Sequence, residues 1–297
     1  SDAALIASAA EGALATLAAG GAAILVARPH EQRVIALLAD ALWQAGVPRD
    51  ALCVAGGTAQ QAAAEASVDS VLMSGSAADV EAVVHNQAEF AVNARVLGRN
   101  TMIVAASADV DEAAAALVSS AFSRDGAAFE SVSIAILSGA IARSDRLATA
   151  LIELTSAWGQ RAERQAQARI DRGEPRHIAL DEAALWALTT LEPGQRWLVQ
   201  PRELADGTYT PGIRVGVEAG SRFASEHFAA PVLGILHAGG VGAATTMANA
   251  LSTGAVAALM TTDVSDAEYW LRRAEAGSLH IVRATIDPVV ERQPAGG

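Results

Sequence analysis

The sequence contains no lysine, because all 21 of its basic residues are arginine. A lysine amine is needed to form a Schiff base with a carbonyl substrate and to reach the phosphates in a phosphate-binding loop, so both kinds of site are excluded. Cysteine is nearly absent too, since Cys53 is the single thiol and one cysteine cannot form an intramolecular disulfide. This scarcity fits a reducing compartment and predicts a cytoplasmic protein.

Runs of basic residues and long apolar runs are also missing. The formal net charge is −12 with no clustered cations to bind phosphate, which argues against a nucleic-acid partner. No stretch of about 20 strongly apolar residues occurs, so no membrane span is predicted. The beginning of the sequence lacks a basic start followed by a strongly apolar core, and we expect no signal peptide. No two histidines have the spacing of a zinc motif, which predicts no metal site.

The sequence does have 297 residues of which 52% are hydrophobic, enough for one large or two medium domains with a substantial core. In its first part, short apolar runs alternate with segments of helical periodicity. Strands are predicted at 23–27, 52–55 and 68–73, and helices at 5–19, 31–45, 60–65 and 77–84.

A second series of alternating elements follows. Strands are predicted at 101–105, 132–137, 231–237, 255–261 and 280–284, with a turn and strand within 209–220, and helices at 109–122, 145–158, 243–252 and 266–274. Residues 159–176 are polar and arginine-rich, which predicts an exposed helix or an excursion of the chain. Because strands that alternate with helices pair in parallel through crossover helices, we expect an α/β fold.

Seven short motifs occur in order along the chain. They are Ala27-Arg28-Pro29-His30-Glu31, Ala45-Gly46-Val47-Pro48, Val71-Leu72-Met73-Ser74-Gly75-Ser76, Leu97-Gly98-Arg99-Asn100, Pro231-Val232-Leu233-Gly234, Glu275-Ala276-Gly277 and Arg292-Gln293-Pro294-Ala295-Gly296-Gly297. In this order they resemble the aldehyde dehydrogenase superfamily. Within it, the chain is most similar to the glutamate-semialdehyde (pyrroline-5-carboxylate) dehydrogenase module of bifunctional enzymes of the proline utilization A type.

The resemblance implies a three-layer α/β fold in two lobes. Residues 1–97 correspond to a partial Rossmann-like, nucleotide-binding lobe, and residues 98–297 to the catalytic-like lobe. The family's earlier strands have no counterpart in the sequence, nor does the strand that usually joins neighbouring subunits. We therefore expect the chain to be a fragment, one piece of a longer polypeptide, or a shortened paralogue.

The catalytic groups of the family are missing at their aligned positions. Its nucleophile is a cysteine in the loop that follows an apolar helix, and this position holds Phe129, whose ring has no lone pair with which to attack a carbonyl. Its general base is a glutamate shortly before the Gly-Lys-Asn triplet, and this position holds Arg95, which stays protonated. The asparagine of the oxyanion hole has no counterpart in the first twelve residues.

The cofactor and substrate positions are altered as well. Arg28 replaces the lysine that contacts the adenosine ribose, and the turn Ser74-Gly75-Ser76 keeps backbone N–H groups that could hold pyrophosphate. The segment that fixes the nicotinamide ribose is His227-Phe228-Ala229-Ala230-Pro231, which lacks the family's carboxylate and aromatic ring unless a one-residue shift brings in Glu226. The substrate-carboxylate loop becomes Ile286-Asp287-Pro288, where Asp287 would repel the substrate.

Together these losses favour a catalytically inactive module with a structural, oligomerisation or tunnel-covering role in a proline-catabolic enzyme. Its partner would be an intact dehydrogenase module, in the same chain or a separate one, or a second copy of this chain. No cofactor is expected unless nucleotide binding survives, in which case it is NAD. The alternatives are an active NAD-dependent glutamate-semialdehyde dehydrogenase, a nucleotide-sensing module and a serine hydrolase that uses Ser131 or Ser133 near Glu130.

Overall fold

Two compact units make up the chain, Ser1–Val96 and Leu97–Gly297. The computed structural model describes residues 2–27, 32–57, 68–75, 77–86, 91–96, 99–126, 130–174, 180, 182–251 and 256–282. Helices and parallel strands alternate in both units, which confirms the predicted α/β class.

The first unit is built from short strands and the helices beside them. Its described elements are α1 (Asp2–Ala18), β1 (Ala23–Ala27), α2 (Gln32–Gln44), β2 (Leu52–Gly56), β3 (Ser70–Gly75), α3 (Ala77–Asn86) and β4 (Ala91–Val96). β1 pairs in parallel with β2, and β3 in parallel with β4. The helix predicted at 60–65 lies outside the described residues. β4 was not predicted, because Asn93 and Arg95 interrupt its apolar residues.

A small core holds the beginning of this unit together. Leu25 and Ala27 of β1 pack with Leu52 of β2 and with Ile35 and Ala39 of α2, and all five side chains are buried. The helical spacing of Ile35 and Ala39 places both on one face of α2, toward the strands. This face explains why the predicted helix forms here.

The second unit contains a longer series of elements. They are β5 (Asn100–Val104), α4 (Val110–Phe122), β6 (Val132–Ser138), α5 (Asp145–Asp171), α6 (Glu182–Thr189), β7 (Arg196–Val199), β8 (Gly212–Val215), α7 (Arg222–Ser225), β9 (Val232–Ala238), α8 (Val241–Leu251), β10 (Val256–Met260), α9 (Val264–Leu271) and β11 (Ser278–Val282). Short 3₁₀ turns occupy Ser123–Gly126 and Gly139–Arg143. Asp109 caps α4, because its Oδ1 accepts hydrogen bonds from the N–H groups of Asp111 and Glu112.

Seven strands of this unit form one sheet in the order β11-β10-β5-β6-β9-β8-β7. All neighbours are parallel except β7, which runs antiparallel to β8 at the edge. The interior strand β5 is buried along its whole length. Buried strands of this kind are apolar on both faces, as in sheets that are covered by helices on either side.

The two faces of the sheet carry separate cores. On one face Leu117 of α4 and Leu151 of α5 pack against strand residues such as Val104. On the other face Ala248 of α8 and Trp270 of α9 pack against residues such as Ile103. Helices therefore lie on both sides of the sheet, and the unit has the three layers that the resemblance implied.

The long helix α5 differs from the sequence prediction, which ended it at residue 158. It continues without a break to Asp171. Of the two alternatives predicted for residues 159–176, an exposed helix and an excursion, the helix is therefore the one found up to Asp171. Near its end Arg169 forms an ion pair of 2.6 Å with the buried Asp206, whose carboxylate also accepts hydrogen bonds from Thr208. Burial alone would raise the pKa of the Asp206 carboxyl, but the hydrogen bonds from Thr208 and Arg169 outweigh it and lower that pKa.

We predict that Asp206→Asn destabilises the second unit at neutral pH by about 1–3 kcal/mol, because it leaves Arg169 without its buried partner. The lowered pKa means that the stabilisation is present above the pKa of an unfolded aspartate, about 3.9, and is lost as the pH falls through the folded-state value. Urea unfolding should show the difference from wild type shrinking below about pH 4. Glu153→Gln, at an exposed position of the same helix, is the control, and a difference independent of pH would contradict the assignment.

Candidate functional site

The motifs with altered catalytic residues converge at the amino edge of the seven-stranded sheet. Arg99 and Asn100 stand at the start of β5, Ser131 immediately precedes β6, and Pro231 immediately precedes β9. Because β5, β6 and β9 are adjacent and parallel, their amino ends lie side by side. The structure thus brings three of the compared segments to one place within the second unit.

The buried side chain of Asn100 joins three neighbouring strands at this edge. Its Nδ2 donates a hydrogen bond of 3.0 Å to the carbonyl oxygen of Ser131, before β6. Its Oδ1 accepts one of 2.9 Å from the backbone N–H of Val256, at the start of β10. Asn100 is only 1% exposed, so these bonds satisfy backbone groups that water does not reach easily. The asparagine therefore fixes the edge of the sheet.

The neighbouring Arg99 uses its guanidinium in a similar way. Nε and Nη2 donate to the carbonyl oxygen of Leu251 at 3.1 and 2.7 Å, and Nη1 donates to the carbonyl oxygen of Ser225. These carbonyls lie at the carboxyl ends of α8 and α7, where a positive charge is favourable. Burial lowers the pKa of the Arg99 guanidinium, and the charge of Glu226 offsets part of that effect. The cation remains charged and ties two helices to β5.

The loop before β6 packs closely against the segment before β9. Asp125 and Gly126 both adopt positive φ angles, of 57° and 71°. A Cβ atom on Gly126 would lie 2.4 Å from the carbonyl oxygen of Ala230, so only glycine fits at this position. The register of β5 and β6 also shifts between Asn100 and Thr101, which leaves Ser133 as an extra residue in β6.

The segment 225–231 is arranged around an aromatic cluster. Phe228 is buried and lies 5.6 Å from the ring of Phe223 and 5.4 Å from that of Trp186. Glu226, which a one-residue shift would bring to the position of the ribose-binding carboxylate, instead forms an ion pair of 2.8 Å with Arg222. Phe228 is therefore part of the core, and Glu226 already has a cationic partner.

Sequence reasoning missed a buried cation beneath this cluster, Arg214 of β8. Its guanidinium carbon lies 5.7, 4.8 and 4.1 Å from the ring centres of Trp186, Trp197 and Phe223. Nη1 donates a hydrogen bond of 3.1 Å to Oε1 of Gln195. Burial lowers the pKa of the Arg214 guanidinium to about 10, and the charge of Glu192 offsets part of the loss. The only sequence signal was an arginine between two β-branched residues of a strand.

The other predicted site residues are placed less completely. The backbone of Ser74, Gly75 and Arg95 is described, and the register of β3 and β4 places Ser74 opposite Arg95. Positions outside the described residues are Arg28, Ser76, Phe129 and the loop 286–288. Gly75 ends β3 and Ala77 begins α3, so the expected change from strand to helix is present at this turn.

A serine hydrolase site at Ser131 or Ser133 finds no support from His237. The hydroxyls of Ser131 and Ser133 have no hydrogen-bond partner within the described part of the chain. His237 pairs with Leu137 at the carboxyl end of the β6–β9 ladder, whereas both serines lie at or before its amino end. The serine and this histidine are therefore at opposite edges of the sheet.

The described residues contain neither a metal-binding group nor a membrane-spanning helix. Among them, no group of three or more histidine, cysteine, aspartate or glutamate side chains is arranged to hold a metal ion. None of the helices within the described ranges has the length and apolar character needed to cross a membrane.

A family model and the solved structures agree on the family that this chain resembles. A model of the aldehyde dehydrogenase family matches residues 5–297. The structure of proline utilization A from Corynebacterium freiburgense is similar with 29% identity and a TM-score of 0.76, over 91% of this chain and 28% of that one. A search of curated proteins found no significant match.

Two other solved structures share the fold. Proline utilization A from Bdellovibrio bacteriovorus, inactivated by N-propargylglycine, has 17% identity and a TM-score of 0.70, over 94% of this chain and 30% of that one. An NAD-dependent aldehyde dehydrogenase from Sinorhizobium meliloti has 22% identity and a TM-score of 0.65, over 88% of this chain and 53% of that one. The chain thus spans less than a third of the two proline utilization A proteins and about half of the single dehydrogenase.

We predict that Asn100→Ala lowers the free energy of unfolding of the second unit by about 2–4 kcal/mol, because it leaves the carbonyl of Ser131 and the N–H of Val256 without partners. Asn249→Ala is a matched control. Asn249 also accepts from one backbone N–H, of Glu275, and donates to one carbonyl, of Arg273, but both of these bonds are exposed. Urea unfolding of both variants should give the larger loss for Asn100, and equal losses would contradict a special role for it.

Proposed function

Because the chain belongs to the aldehyde dehydrogenase family, we propose that it is a catalytically inactive dehydrogenase module that acts structurally in a proline-catabolic enzyme. The likeness to a proline utilization A protein at 29% identity supports this setting. The motifs that match the family are mainly those that shape and pack the fold. The positions at which they fail are those of the nucleophile, the base and the substrate loop.

The observation that carries the proposal is a phenylalanine, Phe129, at the position that the family resemblance assigns to the nucleophile. The described residues around its loop are well packed. Beside that loop, Asn100 and Arg99 bond to backbone groups, and Gly126 fits tightly against Ala230. Selection for packing would preserve these contacts in the absence of any catalytic requirement. A thiolate, by contrast, is required for the family's chemistry and has no substitute in phenylalanine.

The proposed role requires a partner, which we take to be an intact dehydrogenase module, in the same polypeptide or in a separate one. Helix surfaces of the second unit support association, because several large apolar side chains on them are exposed. These are Ile152 and Ile170 of α5, Leu185 of α6 and Val264 of α9, with exposed fractions between 39% and 56%. A second copy of this chain is the other candidate, and light scattering with and without an intact module separates the two.

A nucleotide-sensing module is the second candidate, and the turn between β3 and α3 favours it. Backbone N–H groups at the start of a helix can hold pyrophosphate, and α3 has 10 residues. The residues that would contact the nicotinamide ribose fit the cofactor poorly, because His227 replaces the carboxylate and Glu226 is paired with Arg222. The residues present therefore suit part of NAD, and cofactor chemistry is not assigned to them.

We predict that the chain does not reduce NAD with glutamate semialdehyde or simple aldehydes above the uncatalysed rate. Phe129→Cys alone should restore no turnover, since Arg95 cannot activate the water that releases an acyl-enzyme. The measurement is the absorbance of reduced cofactor with both proteins, together with thiol labelling to show that the new cysteine is reactive. Steady turnover by the unmodified chain would establish the active dehydrogenase instead.

We further predict that NAD binds weakly or not at all. A calorimetric titration of the full chain should give a dissociation constant above about 1 mM, the weak end of specific cofactor affinities. AMP and free pyrophosphate, titrated in the same way, test the β3–α3 turn without the nicotinamide. A micromolar constant for NAD would favour the sensing module over the structural one.

A further inference from the structure

A cavity in the second unit lies beside the 3₁₀ turn that precedes β6. It has a volume of about 310 Å³ and opens between the end of α4, the 3₁₀ turn Ser123–Gly126, α5 and the segments at 209–211 and 231. This volume is at the lower end of the range for small-molecule pockets. We call it the α5 cavity. Nothing in the family comparison assigns it a ligand.

Polar and apolar groups contribute about equally to the walls of the α5 cavity, and its apolar part is formed mainly by rings. The indole of Trp158 and the phenol ring of Tyr209 face it together with the pyrrolidine rings of Pro211 and Pro231. Aromatic and proline rings offer rigid surface that loses little conformational entropy when a ligand packs against it. The part of a ligand that packs against these rings is therefore apolar and small.

Two opposite charges stand at the same cavity, on different elements. Arg161 of α5 places its guanidinium carbon 5.5 Å from the ring centre of Trp158. Asp125 lies on the 3₁₀ turn, and its φ of 57° is a left-handed conformation that aspartate tolerates better than most residues. Within the described residues, neither side chain has an ion pair or hydrogen bond to a protein group.

Two other arginines on or near α5 have carboxylate partners. Arg169 pairs with Asp206 and Arg202 with Glu163, each at 2.6 Å. Arg161 instead lies over an aromatic ring at a cavity whose opposite charge is on another element. An arginine and an aspartate that line one cavity can bind the carboxylate and the ammonium group of a small zwitterion.

From this arrangement we propose that the α5 cavity binds a zwitterionic amino acid with an apolar side chain. The carboxylate meets the guanidinium of Arg161, the ammonium group meets the carboxylate of Asp125, and the side chain packs against Trp158 and Tyr209. Binding at this site is independent of catalysis. It would couple the ligand to the loop before β6, because Asp125 belongs to the turn that Gly126 fixes against Ala230.

The test is a calorimetric titration of the full 297-residue chain with L-leucine. We expect saturable binding, and at least about tenfold weaker binding of 4-methylpentanoate, which lacks the ammonium group, and of 3-methylbutan-1-amine, which lacks the carboxylate. Comparable binding of either analogue would overturn the zwitterion assignment. Absence of saturable leucine binding up to about 10 mM would overturn the site itself.

Variants locate the binding to this cavity. Arg161→Gln and Asp125→Asn should each weaken leucine binding about tenfold or more, since each removes one charge. Asparagine keeps the left-handed backbone of residue 125, so the turn is preserved in the second variant. Arg164→Gln, at an exposed arginine of α5 that does not line the cavity, should leave binding unchanged. Equal weakening by all three variants would overturn the assignment to this cavity, whatever the result of the turnover assay.

Discussion

The amide of Asn100 is the contact on which the amino edge of the large sheet depends. One buried side chain holds the segment that enters β6 and the segment that enters β10, while its own backbone begins β5. Without it, a donor and an acceptor would be left unpaired in the interior, and burying such groups is among the most costly changes a fold can undergo. Arg99, one residue earlier, extends the same arrangement to the ends of two helices.

Under the proposal that the module is inactive, these contacts explain how its fold can persist without the family's chemistry. The fold depends on backbone hydrogen bonds, glycine fits and two apolar cores on either face of a sheet. None of these requires a thiolate at position 129 or a carboxylate at position 95. Loss of a catalytic group therefore costs little stability, whereas loss of Asn100 or Gly126 would disturb several strands at once.

Much of the fold could be predicted from the sequence. The alternation of short apolar runs with segments of helical periodicity located β1, β5, β6 and β9 within one or two residues. The helix predicted at 109–122 is α4, which Asp109 caps. The elements α6, β7 and α7 were not predicted; β7 and α7 are only four residues long, and their burial comes from tertiary contacts. The strand predicted within 209–220 corresponds to β8. Helix α5 was cut short, since its polar second half carries no apolar stripe of the usual width.

Part of the candidate site could also be predicted, from the family resemblance rather than from the periodicity of apolar residues. The family resemblance located the loops, and the structure places the loops before β5, β6 and β9 together. The structural use of Arg99 and the buried cage around Arg214 could not be foreseen, because the residues that each contacts belong to other elements and meet it only in the folded chain. The roles of Phe129 and Arg95 remain predictions.

The most direct test of the central claim is a double variant that restores both missing groups, Phe129→Cys with Arg95→Glu. Rapid mixing with NAD and glutamate semialdehyde measures whether one equivalent of reduced cofactor forms in a first turnover. The account predicts no burst, because the oxyanion asparagine, the ribose-binding carboxylate and the substrate loop are also altered. A stoichiometric burst would contradict it, since two substitutions would then suffice to return a competent active site.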